Sequence, residues 1–127
     1  MIFNTIFNQA KNVVMFAVIA VAALPIAAHA GWGAISADEV IGEKDPYWGT
    51  GGGDSKNEAT RESQKNCRDA GGSDCHVMVT FQQCGAYAAS KKYSGTGVAA
   101  NKKAAESKAL AECNNSNCSV VVSDCND

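Results

Sequence analysis

The sequence predicts an α+β fold of duplicated ββαβ units, which form an antiparallel-rich sheet with two helices packed on one side and are stabilised by disulfides. Three observations lead to this prediction: an internal duplication, an even set of six cysteines, and two helix patterns that each precede an apolar strand. A length of 127 residues suits one domain, which we place at residues 31–127.

Residues 1–30 have the pattern of a secretory signal peptide. They contain no Asp or Glu and a single Lys, followed by an apolar run over residues 13–24 and the small-x-small sequence Ala28-His29-Ala30. A membrane span needs roughly 20 apolar residues, more than this run offers, so cleavage is favoured over a retained anchor. We therefore expect an exported chain, periplasmic or extracellular, with no membrane span after cleavage.

The charge balance argues against nucleic acid as a partner. The chain has 11 Lys and Arg against 13 Asp and Glu, which gives a formal net charge of −2. Nucleic-acid binding needs a clustered basic face, and the sequence shows none. A hydrophobic fraction of 46% also argues against a disordered chain.

The chain repeats itself within this domain. Residues 47–67 align without a gap over residues 93–113 and share a Tyr, a Gly-Thr-Gly sequence and the final Cys. The similarity extends upstream and downstream of this segment. Two copies indicate one pseudo-symmetric domain, with repeats at about residues 31–83 and 84–127.

Two helices are predicted, each opening at an N-cap residue. Ser55-Lys56-Asn57-Glu58 is a capping box, and Asn101 is a favourable N-cap in the second copy. We expect the helices to end near a cysteine, where Gly-rich or Asn-rich loops follow. Small residues recur four apart on the face of each helix that would lie on the sheet: Ala59, Ser63 and Cys67, and then Ala105, Ala109 and Cys113.

Six strands are predicted around the helices. Those before the helices are rich in Gly and Ala and lie near residues 32–37, 47–51, 85–90 and 93–98. An apolar strand follows each helix, at residues 75–81 and 118–123. Strand periodicity places Val77, Val79 and Phe81 on one face, and Val120 and Val122 match the first pair.

The cysteines predict three disulfides, because an exported chain meets an oxidising compartment and this small domain has a thin core. Six cysteines allow fifteen connectivities. Pseudo-symmetry favours Cys67–Cys75 and Cys113–Cys118, each joining a helix end to the next strand, and Cys84–Cys125, which would link the two copies. A zinc site is the competing interpretation, but the spacing Cys-x7-Cys-His-x7-Cys is wider than that of paired zinc ligands. We expect no metal and no cofactor.

Two further motifs have an ordinary and a functional interpretation. Residues 49–56 resemble a phosphate loop but end in Asp-Ser-Lys, so we interpret them as a strand-to-helix turn. His76 is the one histidine outside the signal-like segment, and it would be needed by any histidine-dependent hydrolase. Its predicted place within a strand favours a structural or solvent-facing role, and no Gly-x-Ser-x-Gly sequence is present.

An acidic and aromatic segment interrupts the repeat between the first two strands. Such a segment is typical of an exposed recognition loop, although its aromatic residues could equally cap the core. The candidate binding residues are Asp38, Glu39, Glu43, Asp45, Tyr47 and Trp48.

Several features resemble a known family: the opening Gly31-Trp32-Gly33-Ala34-Ile35, the Cys-x-Val-x-Val strands, the Cys84-Gly85-Ala86 junction and an Ala-rich helix ending in Cys. This family consists of small secreted bacterial domains of unknown function that typically begin GWGAIA after a signal peptide. The resemblance covers nearly all of residues 31–127. Ser36 departs from the pattern, where the family has a small apolar residue. The resemblance implies a secreted or periplasmic domain with no established catalytic residues.

We therefore expect an exported, non-enzymatic module that binds another protein or an envelope component. One version is an inhibitor or immunity-type protein, for which the acidic loop would suit a basic partner. The alternatives are a small exported hydrolase that uses His76 and a structural component of the envelope.

Overall fold

The computed structural model of the chain describes residues 31–39 and 45–126. The predicted signal peptide lies outside these residues. The described elements, in chain order, are β1 Trp32–Asp38, β2 Tyr47–Gly53, α1 Lys56–Asp69, β3 His76–Phe81, β4 Cys84–Ala89, β5 Ser94–Ala99, α2 Lys102–Cys113 and β6 Ser119–Cys125. The α+β class and the duplicated ββαβ unit are confirmed.

The strands form two three-stranded antiparallel sheets, in the orders β2-β1-β3 and β5-β4-β6. Each helix packs on the sheet of its own half. The arrangement therefore differs from one sheet with both helices on one side. Each half forms its own three-stranded sheet around a central strand. The helix of that half covers one face of the sheet, and the sheet of the other half covers the opposite face.

The core between the two sheets draws on both halves. Its buried residues are Ile35, Ala37, Phe81, Tyr87, Ala89 and Val122. The ring of Phe81 lies between Gly33 and Gly85, which are equivalent in the duplication, and a Cβ atom added at either glycine would lie 2.3 Å from the ring. One phenylalanine therefore occupies the space between equivalent strands, and its counterpart in the second half is Asp124.

Each helix lies directly on the backbone of a glycine-bearing strand. A Cβ atom on Gly51 would lie 2.4 Å from the Ser63 nitrogen, and one on Gly97 would lie 2.2 Å from the Ala105 oxygen. The strand predicted near residues 47–51 extends to Gly53, so the predicted strand-to-helix turn is confined to residues 54 and 55. The Gly-Thr-Gly sequence is repeated because both helices need this close approach.

The predicted helix caps are confirmed. Ser55 Oγ accepts a hydrogen bond from the Glu58 nitrogen at 3.2 Å, and Asn101 Oδ1 accepts one from the Ala104 nitrogen at 2.8 Å. The small residues predicted for the inner helix faces are also buried.

A β-bulge occurs at the same place in both halves. Met78 is the extra residue in β3, and Val121 is its equivalent in β6. Because an extra residue reverses the alternation of side chains, Val77 lies on the helix side of its sheet and shares no face with Val79. The prediction that they share a face is wrong, and the same reversal separates the matching valines of β6.

The structure forms the three disulfides that pseudo-symmetry favours: Cys67–Cys75, Cys113–Cys118 and Cys84–Cys125. The first two join the end of a helix to the start of the next strand. The third lies across β4 and β6, where the two cysteines are register partners. It joins the ends of the second half rather than linking one copy to the other.

Candidate functional site

Two adjoining clefts open beside the β4–β5 turn, facing the start of β2. The first cleft has a volume of about 280 Å³ and the second of about 1120 Å³. The first cleft is lined by Asp38, Glu39, Pro46, Asp74, His76, Met78, Tyr87, Ala89, Ser90, Lys91, Lys92, Tyr93 and Ser94. The second cleft is lined by Asp45, Pro46, Ala89, Ser90, Lys91, Lys92, Tyr93, Asn115, Asn117, Ser119 and Val121.

The duplication relates one wall of the first cleft to one wall of the second. Aligning Cys75 with Cys118 sets Asp74, His76 and Met78 against Asn117, Ser119 and Val121. The same backbone frame thus presents a carboxylate and an imidazole in one cleft and an amide and a hydroxyl in the other.

Asp38 holds the wall of the first cleft together. Its Oδ2 accepts hydrogen bonds from the backbone nitrogens of Ser73 at 2.8 Å and of Asp74 at 3.0 Å. These hydrogen bonds favour the ionised carboxylate and so lower the pKa of Asp38 below its ordinary value of 3.8, and the bond from Asp74 has the largest effect. The end of β1 is thereby fixed to the loop that precedes β3.

Tyr87 and Glu39 form a second internal contact. The Tyr87 hydroxyl donates to Glu39 Oε2 at 2.6 Å, and the tyrosine side chain is buried. Burial raises the pKa of Tyr87 far above its ordinary value of 10.0, and the Glu39 carboxylate raises it further. The phenol therefore keeps its proton and serves as a hydrogen-bond donor.

His76 is paired with Asp74. Its Nε2 lies 3.0 Å from Asp74 Oδ1, and both side chains are exposed. Within the described ranges no serine hydroxyl is hydrogen-bonded to His76, and every cysteine is in a disulfide. In the same ranges no three His, Cys, Asp or Glu side chains are grouped closely enough to hold a metal ion.

The side chains of the second cleft are used differently. The Ser90 hydroxyl accepts from the backbone nitrogens of Lys92 and Tyr93, and Asn115 Oδ1 accepts from the Asn117 nitrogen. These bonds fix the turn and the loop. Five other side chains that line this cleft make no hydrogen bond or ion pair with the described part of the chain: Lys91, Lys92, Tyr93, Asn117 and Ser119.

The binding residues predicted from the sequence do not form one site in the structure. Asp38 and Glu39 line the first cleft, and Asp45 lines the second. Tyr47 and Trp48 are successive residues of β2 and lie on opposite faces of it, with Tyr47 against Gly71 at the end of α1. Glu43 lies outside the described residues.

Sequence reasoning missed the β4–β5 turn and the loop before β6. A signal was present in the adjacent lysines of the turn and in the Asn-rich stretch at residues 114–117. The sequence alone does not show that these two segments lie next to each other, so neither was predicted as part of a binding site.

Comparison with known proteins gives the family. A family model described as a domain of unknown function, DUF4189, matches residues 32–125. The chain belongs to this family. The match runs from the first residue of β1 to the last residue of β6, so the DUF4189 domain is the duplicated pair rather than one copy. Neither a curated protein nor a solved structure matches the chain.

Proposed function

We propose that this DUF4189 protein is an exported, disulfide-stabilised binding module that recognises another protein or an envelope component and catalyses no reaction. One observation carries the proposal. The ionisable groups that line the first cleft alone are engaged with one another or with backbone, whereas Asp45 of the second cleft and the turn residues shared by both clefts, Lys91, Lys92 and Tyr93, have no side-chain partner in the described chain. Convergent polar groups without internal partners are typical of a ligand site.

Export is supported by the disulfides and by the signal-like residues 1–30. Three disulfides in so small a domain are typical of an oxidising compartment, either the periplasm or the outside of the cell. Neither helix in the described part of the chain is long and apolar enough to cross a bilayer.

The proposed contact surface comprises Asp45, Pro46, Trp48 and residues 90–94, without Tyr47. Trp48 is 41% exposed and Tyr93 is 53% exposed, and both are rigid side chains of the kind that contributes most to binding energy at interfaces. The two lysines of the turn and Asp45 line the second cleft together with Tyr93 and supply its charge. This surface keeps two of the residues predicted from sequence, Asp45 and Trp48, and adds the β4–β5 turn.

Capture from envelope extract and culture medium tests the proposal. The bait is the oxidised protein, compared with a Trp48→Ala/Tyr93→Ala variant. The matched control is Val98→Ala/Leu110→Ala, which removes similarly exposed side chains, 43% and 38%, outside both clefts. We expect one stoichiometric partner, retained by the control and lost with the Trp48 and Tyr93 variant.

Other capture results have different consequences. Loss with Tyr47→Ala/Trp48→Ala but not with Tyr93→Ala would restore the sequence-based site. The absence of any discrete partner from an abundant protein would favour a structural role in the envelope. If the captured partner is an enzyme or toxin whose activity falls on binding, the narrower inhibitor or immunity-type function follows.

The pairing of His76 with Asp74 is the observation that favours the alternative, a small hydrolase. Under the binding proposal, His76→Ala retains full partner capture and the biological effect of the protein. Loss of the effect in a variant that is as stable as the parent would establish the hydrolase.

A further inference from the structure

We propose that the second cleft binds an acidic polysaccharide; this inference rests on the binding function proposed above and specifies its ligand class. The cleft combines cationic side chains, an exposed aromatic ring and neutral hydrogen-bonding groups around one open space. Each of these matches a different part of a sugar acid.

The cationic part is the pair Lys91 and Lys92. Both ammonium groups lack an ion pair with the described chain, although the chain carries a formal net charge of −2. Asp45 is the one carboxylate among the residues that line this cleft in the described ranges. The lining is therefore locally positive, which favours ligands that carry carboxylate, sulfate or phosphate groups.

The aromatic part is Tyr93. Its ring is 53% exposed at the edge of the cleft. Sugar rings have C–H faces that pack against aromatic rings, while an extended acidic peptide has no such repeated apolar face. The equivalent tyrosine, Tyr47, packs against Gly71 and lines neither cleft.

The neutral part is Asn117 with Ser119. The Asn117 amide has both hydrogen-bond donors and an acceptor, and the Ser119 hydroxyl can donate or accept. Together they suit the hydroxyl groups of a sugar. Their equivalents in the first cleft, Asp74 and His76, are paired with each other. The duplicated frame thus leaves hydroxyl-binding groups unpaired in this cleft.

The size of the cleft allows a polymer segment of several sugar rings to bind. Its volume of about 1120 Å³ exceeds the roughly 300–1,000 Å³ of sites for small molecules, and it is open to solvent. A chain of several sugar units can pass through an open cleft of this kind.

Isothermal titration calorimetry of the oxidised protein tests the inference. The acidic probes are oligomers of polygalacturonate, alginate and hyaluronate; the neutral probe is fully methyl-esterified polygalacturonate, which keeps the ring stereochemistry and removes the charge. We expect binding to at least one acidic polymer that weakens at high salt, and none to the esterified form.

Variants locate the site. Because the turn residues line both clefts, Asn117→Ala/Ser119→Ala and the equivalent Asp74→Ala/His76→Ala decide between the clefts, and we expect only the former to weaken binding. Lys91→Ala/Lys92→Ala and Tyr93→Ala are each expected to weaken binding by about tenfold or more. The controls are Lys102→Ala/Lys103→Ala, an adjacent lysine pair outside both clefts, and Tyr47→Ala, the equivalent tyrosine. Equal loss in variants and controls would overturn the assignment to the second cleft, and unfolding curves in urea confirm that each variant is folded.

The remaining outcomes separate this inference from the proposed function. Equal binding of polyglutamate, lost with the same lysine variants, would assign the cleft to acidic protein segments and overturn the polysaccharide class. If no acidic polymer binds while envelope capture succeeds, the inference fails and the binding module stands. If both fail, both proposals fall.

Discussion

In the first half of the molecule two serine hydroxyls meet between sheet and helix, whereas the second half has two alanines at the same positions. Ser36 Oγ lies 2.7 Å from Ser63 Oγ, and both residues are buried. Their equivalents, Ala88 and Ala109, are equally buried and contribute only methyl groups. The same fold therefore forms with a polar or an apolar contact at this site.

The clefts show the same division. The first half uses its polar side chains to hold its own elements together, through Asp38, Ser73 and the serine pair. The second half also bonds its helix to its strands, through Glu112 with Thr96 and Glu106 with Ser123, but its turn and its loop leave other side chains unpaired in the described chain. We therefore propose that binding uses the unpaired groups of the β4–β5 turn and of the loop before β6 rather than the paired groups around Asp38 and His76.

The largest expected effect of a single substitution concerns Phe81 and its counterpart Asp124. Phe81→Ala should lower the free energy of unfolding by about 3–5 kcal/mol, since the ring fills the space beside Gly33 and Gly85. Asp124→Ala should change it by no more than about 0.5 kcal/mol. Urea denaturation of the oxidised proteins at neutral pH measures both, and equal effects would show that the intersheet core does not depend on one ring.

The serine pair should show strong coupling. Ser63 Oγ donates to the Thr60 oxygen at 2.9 Å, so Ser36 is the donor to Ser63. Ser63→Ala leaves a buried hydroxyl without a partner and should cost about 1–3 kcal/mol, more than Ser36→Ala. The double variant copies the second half and should recover most of this loss. Additive losses in the unfolding free energies would refute the comparison.

Tyr87→Phe is expected to cost about 0.5–1.5 kcal/mol at neutral pH, the net value of a hydrogen bond, here to Glu39. The raised pKa of Tyr87 gives a second measurement. Because this phenol stays protonated, the rise in tyrosinate absorbance of the folded protein near pH 10 should be the same in wild type and variant. A smaller rise in the variant would show that Tyr87 titrates normally and that its contact with Glu39 is not maintained.

The smallest effect is expected in the pH dependence of stability. Folding lowers the pKa of Asp38 below its unfolded value near 3.8. The ionised carboxylate therefore stabilises the folded protein above that pH, and this stabilisation is lost as the pH falls through the folded pKa. Between about pH 5 and about pH 2, the wild type should lose more stability than Asp38→Asn. Ser90 takes the equivalent position in the second half, and Ser90→Ala should show the wild-type pH dependence.

Much of the fold follows from local sequence. The caps at Ser55 and Asn101, the small residues of the helix faces and the disulfides Cys67–Cys75 and Cys113–Cys118 all depend on spacing within one copy. The duplication made each prediction testable against the other copy, which is why these elements are placed correctly.

Other features depend on contacts that spacing does not encode. The bulge at Met78 reverses the faces of β3, and the Gly-Thr-Gly sequence serves helix packing rather than a turn. The clefts arise where the two halves meet, so no single segment indicates them. Lys91 and Asn117 line one space because β4 and β6 are antiparallel neighbours in one sheet, with Ala89 opposite Ser119, and this pairing was not predicted from the sequence.

The central claim is that the second cleft, and not the first, contacts the partner. The most direct measurement is the change in backbone amide NMR signals of the oxidised protein when the captured partner is added. We expect the largest changes at residues 115–119, which belong to the second cleft, and at the shared turn residues 90–93, with residues 73–76 of the first cleft unchanged. Changes concentrated at residues 38–39 and 73–76 would contradict it and assign binding to the first half.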